Sequence, residues 1–208
     1  MEEDLKDVLS TPNPEDAAFF RELEGDRVIP GVGSQIGPSL ARRAGRAAQA
    51  AGAKMRIIGT AVHCGALAAG PLAEAGVKIQ CVDLLDPSSF GALPDAPKVI
   101  FIAGRKFGST GGESLTWAMN AHVSALVALP EWQYLMPVVS GVATEAIAPE
   151  PLGEYSQSVL PRERRFEYFS ACCGTSVTLL RLNYAAELRC AVWLDIDARE
   201  FEGRRVKL

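Results

Sequence analysis

The sequence predicts an α/β protein: a doubly wound parallel sheet with helices on both faces. Short apolar runs alternate with segments of helical period, and a glycine-rich turn joins the first run to a helix. The 208 residues, 48% apolar and 22% charged, have ordinary globular composition, with room for one domain or a little more. Net charge −4 and a pI near 5.3 disfavour generic nucleic-acid binding. No apolar run approaches the roughly 20 residues that span a bilayer. The acidic opening and odd cysteine count are read as a cytoplasmic, reduced chain.

Residues 1–26 form a polar lead-in, with a helix starting at Pro14 after Asn13 and carrying Ala17, Phe20 and Leu23 at helical spacing. The remaining 27–208 are expected to be one domain. Arg27–Pro30 is the first strand, and it runs into Gly31-Val32-Gly33-Ser34-Gln35-Ile36-Gly37. Pro38–Ala51 follows as a helix with proline in its first turn. Met55–Val62, Val77–Val82, Lys98–Ala103 and Ser176–Leu182 read as further strands. Gly65–Ala75 and Glu113–Leu129 read as helices, the latter with Leu115, Met119, Val123 and Leu126 on one face. Glu154–Ser170 is helical in part.

Between the last two helices the sheet needs another strand. Pro130–Pro151 holds Pro130, Pro137, Pro149 and Pro151, so the strand around 130–150 is expected to be irregular or missing. Pro137 would place Leu135–Val139 at a sheet edge or break it.

A glycine turn between strand and helix suits a phosphate, because helix N–H groups and the dipole attract it and small residues admit it. A tight, well-packed turn is the alternative reading. Gly31, Ser34 and Gly37 resemble the GxxGxxG loop of extended short-chain dehydrogenases/reductases, the NAD(P)-dependent epimerase/dehydratase group. Asp83-Leu84 resembles the pair whose acid contacts adenine, and Ala103-Gly104 the small residues beside the nicotinamide ribose. Asn120 resembles the helix asparagine that orders the active-site backbone. Tyr155, Ser158 and Glu163 fit a YxxSKxxxE frame, and Arg181, Asn183 and Tyr184 an RxxNxYGP-type segment. The resemblance implies a Rossmann-type fold binding NAD or NADP, with Gly31, Gly33, Ser34, Gln35, Ile36, Gly37, Asp83, Leu84, Ala103, Gly104 and Asn120 at the cofactor. It implies Tyr155 as acid/base and Ser140, the nearest residue of the right type, as its partner. The substrate is expected to be a nucleotide-sugar or a similar alcohol or ketone.

The sequence departs from that pattern. Val159 occupies the lysine position, whose charge in the family holds the nicotinamide ribose and favours the tyrosinate. A lone tyrosine, with pKa about 10, is a poor acid/base at neutral pH. Hydride transfer is therefore expected to be slow, unless Lys106 or Arg105 supplies a cation from the loop after Lys98–Ala103. Pro161 interrupts the expected helix and would leave Tyr155 on a loop. Ala185–Leu208 leaves room for little or no C-terminal substrate domain.

The second strand ends in Thr60-Ala61-Val62-His63 without the acid that NAD-preferring sites place there. Arg42 and Arg43 are the arginines that could reach a 2′-phosphate, so NAD and NADP stay undistinguished. His63, Cys64, Cys81 and Cys172-Cys173 match no metal spacing, and no metal is expected. Cys64 and Cys81 read as small residues at strand ends, and His122 as a histidine at the edge of the core. Arg162, Arg164 and Arg165 with Glu163 and Glu167 read as an exposed ion-paired face. Three functions fit: an NAD(P)-dependent oxidoreductase or epimerase, a dinucleotide-binding protein derived from one with impaired catalysis, and an interaction subunit with a filled cleft. Partners are the dinucleotide and a small substrate, with neither nucleic acid nor membrane; a homodimer is compatible with the sequence.

Overall fold

The computed structural model describes residues 2–68, 70–93, 96–106, 110–127, 134–140 and 151–182. Helices α1 (Glu2–Ser10) and α2 (Pro14–Glu22) precede the sheet. Asn13 caps α2: its Oδ1 accepts from the Asp16 N–H at 2.7 Å, and the Asp16 carboxylate accepts from the Asn13 N–H at 2.8 Å. Both helices face α3 (Gly37–Ala51), where Asp7 pairs with Arg42 and Arg46 and Asp16 pairs with Arg43.

Strands β1 (Arg27–Pro30), β2 (Ile57–Ala61), β3 (Val77–Cys81), β4 (Lys98–Phe101), β5 (Tyr134–Ser140), β6 (Ser176–Val177) and β7 (Leu180–Leu182) form one parallel sheet. The order is β3-β2-β1-β4-β5-β6, with β7 also paired to β5. Neighbouring residues of the inner strands point to opposite faces, and both faces are covered. Val28, Ile58 and Phe101 join one core with Val123, Val127 and Phe166. Ile29, Ile57 and Ile102 join a second with Ala41, Ala44 and Leu72. Burial on both faces is why these strands read as continuous Val/Ile runs. The doubly wound Rossmann-like fold expected from the sequence is present.

Gly45 brings α3 close to the chain ahead of β3, since a Cβ there would lie 2.3 Å from the Ala75 carbonyl oxygen. The segment expected as one helix over Gly65–Ala75 is instead two single turns, α4 (Gly65–Ala68) and α5 (Pro71–Glu74), divided at Gly70-Pro71. A 3₁₀ stretch at Pro87–Ala92 leads toward β4.

Beyond β4, helix α6 (Glu113–Trp117) continues through a π turn (Ala118–His122) into α7 (Val123–Val127). Of the apolar stripe read from the sequence, Val123 is fully buried and Met119 packs against the core, but the buried face is shared with polar residues. Leu115 is 39% exposed and His122 is exposed rather than at the core edge, while Thr116, Asn120 and Ser124 are buried. The π turn inserts a residue and rotates the face.

The strand expected to be irregular or missing is present as β5 and is irregular in its pairing, but it is not at an edge: it lies between β4 and the β6/β7 pair. Pro137 stands opposite Phe101 of β4. On the other side β6 pairs with Tyr134 and Leu135, and β7 with Val138, Val139 and Ser140. The gap between those ladders falls at Met136-Pro137, where proline has no N–H to offer. Ser176–Leu182 is correspondingly two short strands rather than one.

Helix α8 (Gly153–Cys173) runs unbroken through Pro161, so Tyr155 is helical, not on a loop. Gly174, at φ +73°, ends it, its N–H donating to the Ser170 carbonyl. No described helix is long and apolar enough to cross a membrane.

Candidate functional site

The sheet order reverses between β1 and β4, and in open α/β sheets the crevice at that switch point, beyond the strands' C-terminal ends, takes ligands. A cleft of about 470 Å³ opens there. The glycine loop, the ends of β2 and β3, Ala103, Gly104 and Met119 line it.

The loop is shaped by close approaches. Gly31 has φ +89°, and a Cβ on it would lie 2.4 Å from the Ala103 Cα. A Cβ on Gly37 would lie 2.3 Å from the Val32 carbonyl oxygen. Only glycine permits both contacts. The N–H groups of Gly31 and Val32 both donate to the Thr60 carbonyl, at 2.9 and 3.1 Å, fixing the loop over β2. Gly33 differs: a Cβ there would make ordinary contact with Ala61 and Leu67, and it faces the cleft.

Among the described residues, Thr60 Oγ1 and Ser34 Oγ are buried in this cleft without a hydrogen-bond partner. Thr60 is 1% exposed. A buried hydroxyl left unpaired costs about 1–3 kcal/mol, so both are suited to a polar ligand.

The other expected residues sort by position. Gly31, Gly33, Ser34, Leu84, Ala103 and Gly104 line the cleft. Ile36, the N-cap of α3, packs against the core, and Gln35 lies in the bend before it. Asp83 is exposed at the end of β3, and its carboxylate accepts from the Leu85 N–H at 2.9 Å. Ser140 ends β5 at the same edge of the sheet. Arg42 and Arg43, the arginines considered for a 2′-phosphate, are instead paired with Asp7 and Asp16. Asn183, Tyr184 and Cys190 lie outside the described residues.

Behind the cleft Asn120 organises a buried network from the π turn. Its Nδ2 donates to the Arg105 carbonyl at 3.0 Å and to Ser158 Oγ at 2.9 Å. Its Oδ1 accepts from the Arg105 N–H at 2.9 Å and from Arg162 Nη2 at 3.0 Å. Ser158 donates to the Tyr155 carbonyl at 2.7 Å. Asn120 thus ties the loop after β4 to the Tyr155 turn of α8.

Sequence reasoning missed Arg162. It is 4% exposed, not on a solvated face, and burial pushes its guanidinium down to about 10, with the nearby Tyr155 opposing that shift. Glu163 is also buried and pairs with Arg181, leaving Arg164–Glu167 as the exposed ion pair. Lys106 reaches over Tyr155, its Nζ 5.9 Å from the ring centroid.

The cysteines also depart from expectation: Cys64 and Cys81 form a disulfide, Cα–Cα 5.7 Å, linking the segment after β2 to the end of β3. Cys172 and Cys173 are the exposed vicinal pair that was read from the sequence. A larger apolar hollow of about 700 Å³ lies at the opposite end of the strands, by Arg27, Ile57 and Lys98, beneath Phe19 and Phe20. It is remote from the glycine loop.

This is a Rossmann-like α/β protein, and solved structures share its architecture. The chain matches the UDP-glucuronic acid 4-epimerase from Bacillus cereus in complex with NAD at 15% identity and TM-score 0.66, covering 86% of this chain and 63% of that one. It matches the UDP-Glc/GlcNAc 4-epimerase from Campylobacter jejuni at 18% identity and TM-score 0.68, covering 88% and 64%. It matches the dTDP-glucose 4,6-dehydratase from Streptomyces venezuelae with NAD and TYD bound at 14% identity and TM-score 0.68, covering 86% and 62%. The chain spans less than two thirds of the length of these structures. No family model and no curated protein matches it.

Proposed function

We propose that the chain binds a nicotinamide dinucleotide, NAD or NADP, in the cleft at the C-terminal ends of β1, β2 and β4. The observation that carries this is the pair of unpartnered buried hydroxyls, Thr60 and Ser34, beside a glycine loop at the start of the 15-residue helix α3. Gly31, Gly33, Ser34, Gln35, Ile36 and Gly37 would hold the pyrophosphate. Asp83 and Leu84 would stand at the adenine end, and Ala103, Gly104 and Asn120 at the nicotinamide end. The likeness to structures solved with NAD supports the assignment.

The reaction class is that of an oxidoreductase or epimerase on a nucleotide-sugar or similar alcohol or ketone. The dinucleotide would supply the hydride acceptor or donor. Tyr155 exchanges a proton with the substrate oxygen, Ser140 holds that oxygen, and Asn120 positions Tyr155 through Ser158. Residues 27–208 act as one domain, with 1–26 as a helical lead-in. A second reading, dinucleotide binding with impaired catalysis, is favoured by Val159, which is buried and uncharged on the helix face that carries Tyr155.

The test is fluorescence titration with NADH and NADPH, followed by turnover against nucleotide-sugars and simple ketones, with Tyr155→Phe as control. Saturable binding with turnover lost in Tyr155→Phe supports the enzyme. Binding without turnover supports the second reading, and no binding removes both.

A further inference from the structure

We propose that Cys64 and Cys81 are a thiol–disulfide exchange site that latches one wall of the cleft: bonded, they hold that wall for the ligand, and as two thiols they release it. The inference rests on the dinucleotide reading above for the ligand whose binding it controls. Ala61 ends β2 opposite Cys81, the last residue of β3, and the Val82 N–H donates to the Ala61 carbonyl at 3.0 Å. Beyond that bond the two segments part. One continues to Val82 and Leu84, the other through His63 and Cys64 into α4, and both line the cleft. Helix α4 is a turn of four residues, too short to be stable by its own hydrogen bonds. Its Leu67 faces the glycine loop: a Cβ on Gly33 would lie 3.5 Å from Leu67 Cδ1. The disulfide fastens the start of this turn to the end of β3, across 17 residues of sequence.

The bond is placed to be made and broken. Cys81 is exposed and Cys64 half-buried, so a small thiol can reach it. Cys64 Sγ lies 3.2 Å from the Ala61 carbonyl oxygen, which can accept from the thiol once the bond opens. The oxidant is a small-molecule disulfide. One protein thiolate attacks it, expelling one small thiolate and forming a mixed disulfide. The second protein thiolate then attacks the protein sulfur of that bond, closing Cys64–Cys81 and expelling the second small thiolate. Two protein thiols are oxidised, one disulfide is reduced to two thiols, and the two protons pass to the thiolates released. Excess small thiol runs the steps backwards. A wall fixed before the ligand arrives need not be ordered by it, so the bonded form is the tighter binder.

The test is NADH titration of the full chain equilibrated with oxidised or with reduced glutathione, beside Cys64→Ser and Cys81→Ser. Alkylation and peptide mass mapping assign the bridge, because Cys172 and Cys173 at the end of α8 are exposed thiols that also react. NADH affinity should fall about three- to tenfold on reduction. Both serine variants should show the reduced affinity in either buffer. Failure to map a Cys64–Cys81 bridge overturns the proposal. So does a redox response that survives Cys64→Ser, which would belong to other cysteines. Amide hydrogen exchange over Gly65–Ala68 reads the latch without NADH and should quicken on reduction of the parent; unchanged exchange overturns the proposal. Quickened exchange in a chain that binds no NADH in either buffer supports the latch and removes the dinucleotide. NADH affinity that ignores a mapped bridge overturns the latch and leaves the dinucleotide.

Discussion

The guanidinium of Arg162 lies 5.2 Å over the ring of Phe101. It also donates to Asn120 twice, Nε to the backbone oxygen at 3.2 Å and Nη2 to Oδ1 at 3.0 Å. A buried charge held by a ring and an amide is an expensive component, and it lies close enough to Tyr155 to interact with it electrostatically.

That cost predicts the effect of removing the charge. Burial lowers the Arg162 pKa in the folded state to about 10. Between about 10 and the ordinary arginine value the unfolded chain holds a proton that the folded chain releases, so stability rises with pH there. Below about 10 both states are charged and the full desolvation penalty remains. Arg162→Met is therefore expected to be neutral or up to about 2 kcal/mol more stable at pH 7 in urea unfolding. It should also flatten the rise above pH 10. A loss beyond about 2 kcal/mol at pH 7 would contradict this account.

Asn120 predicts the opposite. Its 1% exposed amide serves Arg105, Ser158 and Arg162 at once. Asn120→Ala removes these side-chain bonds together and is expected to cost about 2–3 kcal/mol in the same measurement. Asn120→Asp keeps an acceptor for Arg162 but loses both donations, so it should fall between Ala and the parent. A neutral Asn120→Ala would show the network to be dispensable.

The inner strands were legible because burial on both faces gives unbroken Val/Ile runs, and the glycine loop because Gly31 and Gly37 meet backbone. What was not legible depends on contacts distant in sequence. Arg162 reads as one of three solvated arginines, and only the packing of α8 on Phe101 buries it. Across the π turn the buried helix face keeps Val123, takes in Thr116 and Asn120 and leaves Leu115 exposed, which a fixed 3.6-residue period misses. Pro137 argues against an inner strand until the gap between two partner ladders accommodates it. Lys106 beside Tyr155 follows only once the Asn120 clamp is seen.

Glu163 and Arg181 provide a test with a defined sign. Arg181 Nε donates to Glu163 Oε2 at 2.8 Å, and this bond, against opposing burial, holds the Glu163 pKa below its ordinary value. A carboxylate lowered in the folded state contributes stability above its unfolded pKa, and the contribution is lost as pH falls through the lowered folded value. Glu163→Gln should lose about 1–2 kcal/mol at pH 7, because Arg181, a quarter exposed, keeps some water. The variant's urea midpoint should then depend less on pH in the acid range than the parent's. Parallel curves through that range would place the acid sensitivity elsewhere.

Gly33 is the position at which cleft and fold can be separated. Gly31 and Gly37 cannot carry a side chain without meeting backbone at 2.4 and 2.3 Å, so their variants would test folding. At Gly33 a Cβ meets only Ala61 and Leu67, at 3.4 and 3.5 Å, and the remaining side chain projects into the 470 Å³ cleft. Gly33→Leu is therefore expected to fold with nearly unchanged urea stability. It should also lower NADH affinity at least about tenfold, about 1.4 kcal/mol, by filling the approach to the helix N-terminus. NADH and NADPH should differ by less than about tenfold in the parent. The end of β2 has no carboxylate for a ribose hydroxyl, and Arg42 and Arg43 are turned to Asp7 and Asp16, away from a 2′-phosphate. Releasing Arg43 by Asp16→Asn should strengthen NADPH binding alone if that guanidinium can swing to the cleft. An equal response of both dinucleotides would show that it stays on α2. Unchanged NADH affinity in a folded Gly33→Leu would remove the dinucleotide from this cleft, however well the loop resembles one that binds it.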